Sequence, residues 1–126
     1  MSISRALPWS TWGSAAGLGA SPAWAVEGNE QQALLGVSVA TAGDVNGDGY
    51  ADVIVGASFL WISHPQQGEG AVYVYLGSAS GLSTSPIWAK EGNQPFAEFG
   101  NGRSACDVNG DGYGDVVVGA WAFNNG

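Results

Sequence analysis

The chain has 126 residues, the length of one ordinary domain, and combines 21 glycines and 6 tryptophans with only three basic residues, Arg5, Lys90 and Arg103. Its net charge of −8 excludes nucleic acid and anionic membrane surfaces as partners, because both select clustered Lys and Arg. No apolar run approaches the roughly 18 residues of a spanning helix, so no membrane insertion is expected.

Met1 to Ala25 opens with an early Arg and closes on Ala23-Trp24-Ala25, but its centre, Pro8 to Gly13, lacks the apolar stretch of a signal peptide. The segment instead belongs to a repeat. Gly13-Ser14-Ala15-Ala16-Gly17-Leu18 recurs as Gly77-Ser78-Ala79-Ser80-Gly81-Leu82, and Ser21 to Asn29 recurs as Ser85 to Asn93, both 64 positions on. Asp44 to Ala57 recurs as Asp107 to Ala120, 63 positions on, with 12 of 14 residues identical. The chain is two tandem copies of one unit.

Taken in order, the expected elements are short strands. Leu7 to Trp12 aligns with Ala71 to Leu76, where aliphatic and aromatic residues alternate between Gly70 and Gly77. Pro22 to Val26 and Pro86 to Lys90 read as edge strands opened by proline, an outermost position. Leu35 to Ala42 and Phe99 to Ala105 lead into acidic loops, and the β-branched runs Val53 to Val55 and Val116 to Val118 lead out of them. No stretch keeps a helical period. Four short strands in about 63 residues is the pattern of a β-propeller blade, whose sheet buries its faces against neighbouring blades. The expectation is an all-β chain of four-stranded antiparallel blades, about two blade-equivalents in all. It divides into an N-terminal half blade (1–34, third and fourth strands), a complete blade (35–93) and a C-terminal half blade (94–126, first and second strands).

All six aspartates lie in two nine-residue windows. Asp44, Asn46, Asp48 and Asp52 offer side-chain oxygens at positions 1, 3, 5 and 9, and Asp107, Asn109, Asp111 and Asp115 repeat the layout. Gly49 and Gly112 at position 6 permit the turn that brings round the backbone carbonyls of Tyr50 and Tyr113. Such packing of carboxylates costs repulsion that a cation offsets, and hard oxygen donors in a flexible loop select Ca²⁺, two sites per chain. An EF-hand shares the opening but needs a bidentate Glu at position 12; Val55 and Val118 stand there, inside strands.

Leu35-Gly36 and Phe99-Gly100, the Asp-x-Asn-Gly-Asp-Gly-Tyr-x-Asp loop, and Gly56-Ala57 or Gly119-Ala120 together resemble the FG-GAP repeat of integrin α-subunit propellers. The resemblance implies that the loop joins the first two strands of a blade and that calcium fixes its shape. Leu35 replaces the first aromatic, and Ser58 or Trp121 replaces the proline that often follows Gly-Ala. Propellers of this family usually have seven blades.

Phe59, Trp61 and His64 fall in an insertion-like stretch after Ala57 with no counterpart after Ala120 and form a candidate partner-binding loop. Trp24 and Trp88, at equivalent positions, are expected to pack between blades. Lone Cys106 permits no intrachain disulfide, and no nucleophile elbow, phosphate loop or zinc spacing occurs, so no enzyme is expected. The reading is a calcium-stabilised scaffold or interaction module facing an extracellular or periplasmic calcium pool, with a protein or glycan ligand. The alternatives are a carbohydrate-binding propeller using rim tryptophans and an inactive piece of a larger adhesion protein. Pairing of one chain's C-terminal half blade with another's N-terminal half blade would make a closed homo-oligomer, six blades from three chains or eight from four.

Overall fold

A computed structural model describes residues 8–27, 35–57, 69–94, 99–104, 107–120 and 122. Ten strands run in chain order: β1 (Trp9–Ser10), β2 (Gly13–Ser14), β3 (Gly17–Leu18), β4 (Trp24–Ala25), β5 (Leu35–Gly43), β6 (Asp52–Ala57), β7 (Ala71–Tyr75), β8 (Trp88–Glu91), β9 (Phe99–Ser104) and β10 (Val116–Ala120). The described residues contain no helix, and so none that could cross a membrane.

Strands β5 to β8 form one antiparallel sheet in sequence order. Its inner strand, β6, is β-branched and apolar without alternation because both of its faces are buried. Val55 and Ala57 join Trp24, Leu35, Ala71 and Tyr75 in one cluster. Ile54 turns the other way and joins Ala42, Val72 and Val74, with Phe99, Val116 and Val118 packed against them. The sheet is therefore sandwiched between the N-terminal strands and the β9–β10 pair. The outermost strand, β8, is exposed throughout, as its opening proline implies.

Glycine sets how closely these layers approach. A Cβ at Gly56 would overlap the Gly100 carbonyl, and Gly100 itself adopts φ 130° with Ala71 O only 2.7 Å from where its Cβ would stand. The Phe-Gly of one unit thus meets the Gly-Ala of the unit before it, backbone against backbone, where no larger residue fits.

The N-terminal strands repeat the β7–β8 pairing. Trp9 faces Ala25 and Ser10 faces Trp24, as Tyr73 faces Ala89 and Val74 faces Trp88, the same register moved by 64 positions. Between β1 and β4 stands a two-residue hairpin, β2–β3, that the sequence pattern did not separate from a turn. In the second unit the same segment is a turn. Both use one device, a serine hydroxyl (Ser14 or Ser78) donating to the carbonyl three residues on, Gly17 or Gly81.

The two equivalent tryptophans differ. Trp24 is 7 % exposed, its Nε1 donating to Ser83 O at 2.8 Å and its ring edge-on to Tyr75 at 5.2 Å. Trp88 is 44 % exposed, which corrects the expectation that it is core. Trp24 is buried by the third strand and following turn of the next unit, and Trp88 has no such neighbour among the described residues.

Candidate functional site

Each acidic loop bridges two paired strands, 44–52 between β5 and β6 and 107–115 between β9 and β10. Gly47 and Gly49 adopt φ 77° and 88°, and Gly110 and Gly112 adopt 76° and 91°, so both loops turn through the left-handed region at the same places. The tightness has a chemical consequence: successive amides point at the first aspartate. Asp44 Oδ1 accepts from Gly47 N at 2.7 Å and Asp48 N at 3.0 Å, and Oδ2 accepts from Gly49 N at 2.8 Å. Asp107 receives the same three bonds from Gly110, Asp111 and Gly112 at 2.6, 3.0 and 2.7 Å.

These amides, Gly49 foremost for Asp44 and Gly112 for Asp107, lower the pKa of both carboxyls and hold them ionised. Positions 3 and 5 are tied together as well. Asn46 Nδ2 donates to Asp48 Oδ2, while Asp48 N donates to Asn46 Oδ1; Asn109 and Asp111 repeat the pair. Asp48 Oδ1 and Asp111 Oδ1 each accept the following tyrosine amide at 2.9 Å. Thus the loop side chains expected from sequence are brought together in one turn, but those at positions 1, 3 and 5 are directed at the turn's own amides. Among the described residues no three His, Cys, Asp or Glu side chains converge as a metal cage.

The ninth-position aspartates separate the copies. Asp52 is fully buried, with Oδ2 accepting Val45 N at 2.8 Å and Oδ1 accepting Gly77 N at 2.8 Å from just past the neighbouring strand β7. Asp115 keeps the first bond, from Val108 N at 2.7 Å, and is only half-buried. The loops lie side by side: Gly114 N donates to Asp44 O at 2.7 Å, and the Tyr113 ring covers Gly47. Gly114 replaces the first loop's Ala51, and a Cβ there would come to 2.5 Å from Ala42 O.

Two features escaped the sequence. Glu69 is 3 % exposed and accepts Asn93 N at 3.2 Å; burial first, and Glu91 second, raise its pKa. A groove of about 450 Å³ opens between the sheet and the second loop, lined by Val74, Leu76, Ile87, Trp88, Asp115 and Val116 among others. Neither has a local motif, since each is assembled from separate strands. The candidate loop residues Phe59, Trp61 and His64, and Cys106, lie outside the described residues.

A model of the FG-GAP repeat family matches residues 35–75 and 99–126. Integrin alpha pat-2 of Caenorhabditis briggsae is 39% identical over 110 residues, and that of Caenorhabditis elegans 40% over 110, each match covering 80% of this chain. Integrin alpha-7 of Rattus norvegicus is 38% identical over 91 residues, 71% of this chain. The chain spans 8%, 8% and 7% of the lengths of these three relatives.

Proposed function

The chain belongs to the FG-GAP repeat family, and on that premise we propose that it is a calcium-stabilised propeller module that works by adhesion-type binding, not by catalysis. The observation that carries this reading is the twofold occurrence of one loop geometry, with ionised Asp44 and Asp107 at position 1 and an oxygen-only donor set around them. The Asp44 and Asp107 carboxylates each accept three amides, two on Oδ1 and one on Oδ2, which leaves a lone-pair site on Oδ2, and the oxygen donor set fits a hard cation. Asp44, Asn46, Asp48, Asp52 and the Tyr50 carbonyl would hold one ion; Asp107, Asn109, Asp111, Asp115 and the Tyr113 carbonyl would hold the other. Bound calcium would offset most of the charge of the three aspartates gathered in each loop.

A site of this kind works where calcium is millimolar, which is the argument for an extracellular or periplasmic setting. The half-blade, blade, half-blade division at 1–34, 35–93 and 94–126 goes with it, as does blade completion between copies into a ring of three or four chains. A protein or glycan ligand would meet the propeller at its loops. Titration calorimetry of the calcium-stripped chain tests the core of the reading: two calcium ions per chain are expected, one for Asp111→Ala, and a chain that takes up none overturns it.

A further inference from the structure

We infer that Tyr113 and Gly114 of the second acidic loop are positioning residues for the ion of the first loop, whose site is therefore built by two units. The inference rests on the calcium reading above and names groups outside the first loop's own donor set.

Gly114 meets the first loop at its root. Its amide donates to Asp44 O at 2.7 Å, on the residue whose carboxylate gathers that loop's amides. The approach is so close that a Cβ on Gly114 would come to 2.5 Å from Ala42 O and 3.0 Å from Asp44 N. Its φ is not positive, so the contact between loops, and not its own turn, is what requires glycine. Ala51 holds the equivalent place in the first loop, also without a positive φ. The loop itself thus accepts alanine there, and Ala51 against Gly114 is one of only two differences between the 14-residue copies.

One residue earlier, the Tyr113 ring closes over the first loop's turn. A Cβ on Gly47 would meet its Cε1 at 2.6 Å and its Cδ1 at 3.2 Å. Gly47 stands there at φ 77°, and its amide is one of the two that Asp44 Oδ1 accepts. The carbonyl of Tyr113 belongs to the second donor set, but its ring serves the first. The bond from Gly114 fixes the main chain of Asp44, and the ring restrains Gly47. Together they preset the carboxylate that the ion meets, which leaves less ordering to be done on binding. By linkage the effect is mutual: an ion that binds better when the loops touch also holds them together. Calcium in the first loop would thus fasten one unit to the next as well as close its own turn.

The experiment is a calcium titration of the stripped full chain by amide-resolved NMR, with Gly114→Ala beside the wild type. The Gly49 and Gly112 amides report the two loops separately. Gly114→Ala gives the second loop the same nine residues as the first, so its own donor set stays complete. The Gly49 midpoint should rise by about fivefold, one ordinary hydrogen bond converted to affinity. The Gly112 midpoint should stay within about twofold, as for a group left out of the contact. Tyr113→Ala, which keeps every backbone donor, should also raise the Gly49 midpoint more than the Gly112 midpoint, and Tyr113→Phe should restore it. In the calcium-free chain, Gly114→Ala should move the Gly47 α-proton resonances as the ring withdraws. A Gly49 midpoint that neither Gly114→Ala nor Tyr113→Ala moves, or a Gly112 midpoint that rises equally, overturns this inference and leaves the calcium reading standing. A wild type in which neither amide responds to calcium sinks that reading, and this inference with it.

Discussion

Trp24 is the side chain on which the packing between the N-terminal strands and the four-stranded sheet depends, and its removal can be worked through. The indole is 7 % exposed, lies edge-on to Tyr75 with planes 71° apart, and donates to Ser83 O. Replacing a buried Trp by Ala costs about 3–5 kcal/mol. Within that, the aromatic pair accounts for about 0.5–1.5 kcal/mol and the hydrogen bond for about 1 kcal/mol. Trp24→Phe, which keeps most of the ring and loses the donor, should therefore cost about 1–2 kcal/mol. Trp88→Ala should cost under about 1 kcal/mol, as for exposed residues generally. Urea unfolding followed by far-UV circular dichroism gives the three midpoints, with equal slopes required for the differences to be read as stability. Losses at Trp24 and Trp88 equal within about 0.5 kcal/mol, the usual limit of independent-site effects, would refute the packing argument.

Calcium should raise the melting temperature, since a ligand at 100 times its Kd adds about 2.7 kcal/mol per site; Asp48→Ala with Asp111→Ala should abolish the rise, and a melt unmoved by EGTA in the wild type contradicts it. Gly56→Ala should lower stability by about 1–3 kcal/mol or more through overlap with the Gly100 carbonyl, whereas chemical denaturation indistinguishable from wild type would show that the two layers separate easily. Asp44 and Asp107 have lowered pKa values when folded, so their contribution is present above the usual carboxylate range and is lost as pH falls through the lowered values. Glu69 has a raised one, so its contribution is present in acid and is lost as pH rises through the raised value. Glu69→Gln keeps an acceptor for Asn93 N and should raise the melting temperature at pH 7 but not at pH 4, and a drop at pH 7 would show that the charge itself is needed.

What the sequence disclosed was whatever is written locally. The strands around Val53, Ala71 and Val116 announce themselves by β-branched residues between glycines, and the all-β antiparallel architecture follows from them. The nine-residue loops were legible because their donors and glycines lie in one turn, and both copies show the same bonds. The β2–β3 hairpin was not, because Gly-Ser and Gly-Leu carry no alternation to distinguish a two-residue strand from a turn. Glu69 was not, because its burial comes from Gly92 and Asn93, more than twenty positions along the chain. The second bond to Asp52 was equally hidden, since its donor is the amide of Gly77, and any residue but proline has an amide.

Trp24 and Trp88, Ile54 and Val117, and Asp52 and Asp115 make the deeper point. Each pair occupies one position of a repeat in which 12 of 14 residues around the loop agree, yet one member is buried and the other is not. Side chains so alike cannot determine that difference; the strand or turn packed beside each one does. Burial here is a property of the contact between units, as expected where each repeat touches only the next. It follows that a substitution has no single cost in this protein. Asp52→Ala orphans two amides in a closed site, and Asp115→Ala orphans one in an open site.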